Sequence, residues 1–216
     1  MAIPVLIIGK SGSGKSRSLK NCQNDDWNII RVVNKPLPFK GKINGWATDD
    51  YQTVMKCLIA SKAKSIAIDD AGYLITNMFM KGHSTKGKGN DIFSFYNDIG
   101  DHFWNLVQFI SNRVPPDKIV YIMMHETDPD DFGNIKPKTI GKMLDEKVCL
   151  EGMFTICLRC IIEGNQHLFV TQSANGAVSK SPEGMFDSLT IENDLAMVDR
   201  KIREYYEITT TPEKEN

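Results

Sequence analysis

Residues 9–16 read Gly-Lys-Ser-Gly-Ser-Gly-Lys-Ser, and a short apolar run, residues 3–8, leads into them without a gap. The spacing is G-x-x-x-x-G-K-[ST], and the chemistry it serves is the binding of a nucleotide's phosphates. Gly9, Gly12 and Gly14 can take backbone angles that turn consecutive N–H groups toward one anion. Together with Lys10, Ser11, Ser13 and Arg17 they form the expected cradle for ATP. Lys15 is spaced to reach the β- and γ-phosphates, and the Ser16 hydroxyl to hold Mg²⁺. A helix expected over residues 14–21 would add its positive N-terminal end.

A phosphate loop needs a partner for the metal. Residues 65–70, Ser-Ile-Ala-Ile-Asp-Asp, form a short apolar strand ending in paired acids. Asp69 is the expected Mg²⁺ partner, directly or through water. Asp70 would point to the γ-phosphate side, where a carboxylate orients or deprotonates a water. Alternatively the base sits elsewhere and Asp70 is a solvated acid at a strand end. Asp49 and Asp50 compete for these roles, but first-turn helix acids explain them better. A later apolar strand, residues 119–124, ends at His125, a surface histidine unless that strand lies beside the phosphate loop, where the ring would sense a phosphate.

The elements that must position these groups follow from periodicity. Strands are expected over residues 3–8, 27–33, 64–68, 119–124, 153–162 and 167–171, the last two joined by the hairpin turn Glu163-Gly164-Asn165. Pro36 and Pro38 forbid helix in the loop 35–45. Thr48 is the expected cap of a helix carrying Val54, Leu58 and Ile59. A long helix over 90–112 carries Ile92, Phe95, Ile99, Phe103, Leu106 and Ile110 on one stripe, and a final helix is expected over 189–203. Alternating strands and helices argue an α/β fold of three layers, with a mostly parallel sheet and an antiparallel hairpin at one edge. Residues 1–206 read as one domain and 207–216 as a polar tail.

Composition bounds the partners. The chain has 216 residues, 41% hydrophobic and 25% charged, with net charge −1. No global basic field exists, so nucleic-acid contacts would come from local patches or from an oligomer. Its apolar runs are too short to span a bilayer, and a start directly at the first strand argues against a signal peptide. Five unpatterned cysteines fit a reducing, cytoplasmic setting. Cys157 and Cys160 form C-x-x-C inside a strand, where they face opposite sides, and no second pair completes a zinc site. Residues 80–90 and 127–147 read as long irregular loops rich in lysine.

Several segments together resemble a known family. These are residues 9–16, Ser-Ile-Ala-Ile-Asp-Asp-Ala-Gly-Tyr-Leu at 65–74, His125-Glu126-Thr127, Lys138-Thr-Ile-Gly-Lys142 and Lys180-Ser-Pro-Glu-Gly-Met-Phe186. The chain resembles, over roughly residues 3–186, phage nucleotide-binding proteins with a RecA-like AAA P-loop core, some of them single-strand annealing or recombination ATPases. The resemblance implies ATP hydrolysis, ring or filament assembly as a homo-oligomer, and work on single-stranded DNA, with a phage single-strand binding protein as a further partner. It also implies that the strand ending at His125 inserts between the other two, bringing His125 to the γ-phosphate. RecA-type sites often take a basic residue from a neighbouring subunit. Only six arginines exist, none within 114–158. Lys180 and Lys142 are therefore the candidates, each weighed equally against a solvated loop lysine. Lys81, Lys86 and Lys88 occupy the place of a DNA-contacting loop, and Lys136 and Lys138 could equally touch DNA phosphates. That loop lacks an aromatic for base stacking, so a plain surface loop is as good a reading.

The leading expectation is thus a phage-type ATPase acting on single-stranded DNA in recombination or replication. A small-molecule P-loop kinase is one alternative, though the candidate lid 127–147 has no arginine. A nucleotide-gated adaptor or loader with negligible turnover is the other.

Overall fold

The computed structural model describes residues 1–86, 91–140, 144, 147–173 and 176–208. Five parallel strands form most of one sheet: β1 (Ile3–Gly9), β2 (Trp27–Arg31), β3 (Gly45–Ala47), β4 (Ser65–Asp69) and β5 (Ile119–His125). The sheet continues through β6 (Ile156–Glu163), β7 (Gln166–Val170) and β8 (Thr190–Glu192), in the order β3-β2-β4-β5-β1-β6-β7-β8. β6 runs parallel to β1, whereas β7 and β8 are antiparallel to their neighbours. The fold is therefore α/β, with an eight-stranded, mostly parallel sheet and an antiparallel hairpin at one edge.

The hydrophobic pattern explains why both faces are covered. Central strands such as β1 and β5 are almost uniformly apolar, so each face must be buried. One face, with Leu6, Ile8, Ile68 and Ile122, packs on α1 (Tyr51–Ala60), α2 (Gly72–Lys86) and α3 (Asp91–Arg113). The other, with Val5, Ile7, Tyr121 and Leu158, packs on Leu19 and on α4 (Leu195–Tyr205). This is compatible with three layers. Cys157 belongs to the first core and Cys160 to the second, as alternation along a strand requires. Burial pushes both thiols up to about 12, so neither is reactive.

Several expected elements are corrected. The helix over 14–21 is a 3-10 helix, Ser16–Asn21. Serines compete for its backbone groups, and Ser18 Oγ donates to the Lys15 carbonyl at 2.6 Å. Such a short helix adds little of the expected N-terminal field. Asp50, not Thr48, caps α1, accepting from Thr53 N, while Thr48 Oγ1 accepts from Asp50 N. Residues 80–86 are helical, within α2, rather than loop. The final helix begins after Asp194, whose carboxylate caps Ala196 and Met197, because residues 190–192 pair with β7.

α4 is pinned beneath the start of β4 and β5 by a buried network. Asp199 accepts from Ser65 Oγ at 2.6 Å, Tyr121 OH at 2.9 Å and Arg203 Nε at 2.7 Å. Asp199→Ala leaves the Arg203 guanidinium, 4% exposed, without its carboxylate. We expect a loss of about 3–5 kcal/mol in denaturant unfolding; a loss within about 0.5 kcal/mol would show that the network is not stabilising.

Candidate functional site

β1, β4 and β5 are adjacent and parallel, so their C-terminal ends, Gly9, Asp69 and His125, open on the same edge. In open α/β sheets that edge is where ligands bind. β5 lies between β1 and β4, the place that the family resemblance implies for the strand ending at His125.

The glycine-rich loop is shaped by close approach. Gly14 sits at φ 115°, and a Cβ there would meet His167 Nδ1 at 2.8 Å. Gly12 is at φ 79°. A Cβ on Gly9 would lie 2.4 Å from Ser13 Oγ. Ser13 Oγ donates to Lys10 O at 2.8 Å, closing the loop on itself. Lys15 is buried in it, its Nζ donating to Gly9 O at 2.8 Å and Lys10 O at 2.9 Å. Burial lowers the Lys15 pKa, against the pull of nearby Asp70 and Asp69.

Ser16 Oγ donates to Asp69 Oδ1 at 2.8 Å, uniting the two expected metal partners. Burial, then the Asp70 charge, raises the Asp69 pKa, so its carboxylate is a group that gains from a nearby cation. Among the described residues no cluster of three or more His, Cys, Asp or Glu side chains could enclose a metal. A hydroxyl and one carboxylate fit Mg²⁺, which takes one or two protein ligands and completes its shell with water and phosphate oxygens.

Asp70 is 3% exposed and has φ 57°, a left-handed conformation that Asp tolerates better than most residues. Such outliers gather at functional sites, and this one stands at a strand end between two partners. Its Oδ1 lies 3.7 Å from His125 Nε2, and its Oδ2 is paired with Lys35. His125 Nδ1 is 3.4 Å from Lys15 Nζ. An ammonium there requires a lone pair on Nδ1, so the proton sits on Nε2, facing Asp70. Burial, then the Lys15 charge, lowers the His125 pKa, leaving the ring neutral near pH 7.

These groups line a cleft of 820 Å³, within the usual size of a small-molecule site. Among the described residues its lining holds five cations, Lys15, Arg17, Lys20, Lys35 and Lys40, against one carboxylate, Asp70. On a chain of net charge −1 this concentrates positive potential in one place. Pro36, Pro38 and Phe39 form its apolar wall. Across Ser11 and His125 lies a second cleft of 720 Å³, lined by Lys10, Tyr73, Lys138 and others.

Other expected residues lie apart. Glu126 is held by Arg159, with Nε 2.8 Å from Oε2 and Nη2 2.9 Å from Oε1, so it is not a free base. Asp49 pairs with Lys81 and accepts from Asn77 at 2.8 Å, and Asp50 caps α1. Neither competes for the metal. Lys81 and Lys86 project from α2, Lys86 lying 5.9 Å from the Phe95 ring centre. Lys136 and Lys138 are exposed on the segment after β5, whose Lys138 N donates to His125 O at 2.7 Å. Lys180 bridges Cys157, three residues along β6 from Cys160, which is level with Gly9. That is about 10 Å of strand away from the loop, so Lys180 does not complete the cleft of its own chain. Lys88 and Lys142 lie outside the described residues.

The sequence did not reveal Lys35, Phe39 or His167. Lys35 and Phe39 fall in the proline-rich loop after β2, and that position after a strand end was the available signal. His167 Nδ1 reaches Ser13 O at 2.9 Å from the hairpin strand β7, which carries no motif. No protein-family model matches the chain, and no curated protein matches it. Among the described residues no helix is long and apolar enough to cross a membrane.

His125→Ala is expected to lower turnover of a bound triphosphate by about 10- to 100-fold with little loss of affinity, and His125→Gln, a neutral donor, less. Because the ring's pKa is lowered, its protonation should cost activity only on the acid side, below its ordinary 6.5. Unchanged turnover in His125→Ala would remove the ring from the chemistry.

Proposed function

We propose that the chain is a RecA-like P-loop ATPase that binds ATP with Mg²⁺ and hydrolyses it. The observation that carries this reading is the insertion of β5 between β4 and β1, which gathers Lys15, Ser16, Asp70 and His125 at one cleft, with Asp69 bonded to Ser16. Lys15 and the loop amides would hold the phosphates, and Ser16 and Asp69 would hold Mg²⁺, which would neutralise phosphate charge. Asp70 accepts a proton from water as the water oxygen bonds to the γ-phosphorus. The β–γ bridging bond breaks, its electron pair leaving on ADP. Neutral His125 orients Asp70 and senses the terminal phosphate.

The resemblance to phage recombination ATPases extends the proposal to single-stranded DNA and to a homo-oligomer. For DNA, the exposed Lys138, whose amide donates to His125 O, and Lys136 are the contacts to test first, because Lys81 is already paired with Asp49. The test is ATP hydrolysis with and without single-stranded DNA, across a protein-concentration series. DNA stimulation and a steep concentration dependence are expected; their absence would leave a monomeric hydrolase without a DNA role. The 720 Å³ cleft that shares His125 favours a second reading, transfer to a small-molecule acceptor.

A further inference from the structure

Resting on the hydrolytic reading above, we infer that Lys35 supplies, from within the same chain, the cation that the terminal phosphate needs as charge develops on it. Among the cations that line the cleft, Lys35 is paired directly with Asp70. Arg159 and Arg203 are committed to Glu126 and Asp199, and Arg17, the one arginine lining the cleft, lies 3.5 Å from Asn193 Oδ1. Lys180 runs alongside β6 at Cys157, away from the cleft.

Lys35 is delivered by a braced segment. Val32 N donates to Asp69 O at 3.2 Å, so the chain after β2 stays tied to the end of β4. Lys35 N then donates to Val33 O at 2.8 Å, turning the chain. Pro36 and Pro38 restrict the backbone just beyond it, and Leu37 and Phe39 pack on the second core. The side chain is half exposed, with its ammonium on Asp70 Oδ2. Lys35, Asp70, His125 and Lys15 therefore stand in a row, with a cation at each end. A phosphate chain held by Lys15 would carry its terminal group toward Asp70 and meet Lys35 there.

The consequence for the reaction is specific. While Lys35 holds Asp70, the carboxylate oxygen it covers is occupied by the ammonium. Once the terminal phosphate draws the ammonium away, that oxygen is free to take the water proton. The water oxygen bonds to the γ-phosphorus, and the bridging oxygen leaves with its electron pair on ADP. The ammonium stays on the phosphate, offsetting the charge that accumulates there.

The experiment uses Lys35→Ala, Lys35→Gln and Lys35→Arg in the full chain. It measures steady-state hydrolysis and the affinity for a fluorescent, non-hydrolysable ATP analogue. The expected result is kcat lowered about 10²- to 10³-fold in the Ala and Gln variants, affinity changed far less, and rescue to within about tenfold by Arg. Wild-type kcat in the Ala or Gln variant, or failure of Arg to rescue, would overturn the inference while leaving the hydrolytic reading intact. A wild-type protein that binds the analogue without hydrolysing ATP would overturn both. Mixing Lys35→Ala with Lys15→Ala protein separates the two sources of the cation. A mixture no more active than its parts is expected; restored activity would move Lys35's role to a neighbouring subunit and overturn its in-chain assignment.

Discussion

Lys15→Ala is expected to reduce ATP hydrolysis by at least about 10³-fold and to weaken nucleotide binding as well. The buried ammonium of Lys15 occupies three directions at once, two to the carbonyls of Gly9 and Lys10 and one toward His125. Removing it leaves those two carbonyl oxygens on the floor of the loop, facing an incoming phosphate of like polarity. A thousandfold loss corresponds to about 4 kcal/mol of transition-state stabilisation, in the range seen when a positioned charge is deleted at such a site. The substitution also deprives Asp69 and Asp70 of a nearby cation. Lys15→Arg is expected to fail too, since a planar fork does not replace a compact ammonium in a closed loop. Analogue titration and phosphate release check this; a variant that turns over ATP at the wild-type rate would remove the glycine-rich loop from the chemistry.

Asp70→Asn is expected to do the opposite to binding and the same to turnover. Asn tolerates the left-handed backbone of this position about as well as Asp does, so the change isolates the charge from backbone strain. The amide is close in shape to the carboxylate it replaces, but it cannot accept the water proton and no longer holds Lys35 by charge. Removing one negative group beside a triphosphate should leave affinity unchanged or raise it. Turnover should fall about 10²- to 10⁴-fold, the usual contribution of a positioned base. A hydrolysis rate within twofold of wild type would place the base elsewhere. Glu126 is the nearest other acid on β5's exit, and its bond to Arg159 argues against it.

What could be read from the sequence was whatever rests on local pattern. The glycine spacing of residues 9–16, the apolar run ending in Asp69-Asp70 and the hairpin at Gly164 all signal through neighbours in the chain. The order β4-β5-β1 was expected only through a family resemblance, and the structure has that order. α2 was lost because Gly82, His83, Ser84 and Thr85 read as loop. Its second half is helical because it packs on α3, where a Cβ on Gly82 would come within 2.3 Å of the Phe95 ring. The three-residue strands β3 and β8 are too short to show any period. Lys35 stayed hidden for a related reason: its meaning comes from Asp70, 35 positions away, and a lysine before a proline carries no signal of its own. Scarce arginine pointed to a cation from a neighbouring subunit, whereas the fold itself brings Lys35 to the cleft.

We propose that this cleft binds Mg·ATP and directs water at its terminal phosphate. The most direct test is to incubate the protein with ATP and Mg²⁺ in ¹⁸O-labelled water and weigh the released phosphate by mass spectrometry. Mg²⁺-dependent release of phosphate carrying one ¹⁸O atom from solvent is expected, lost in Lys15→Ala. No phosphate, or phosphate without solvent oxygen, would contradict it.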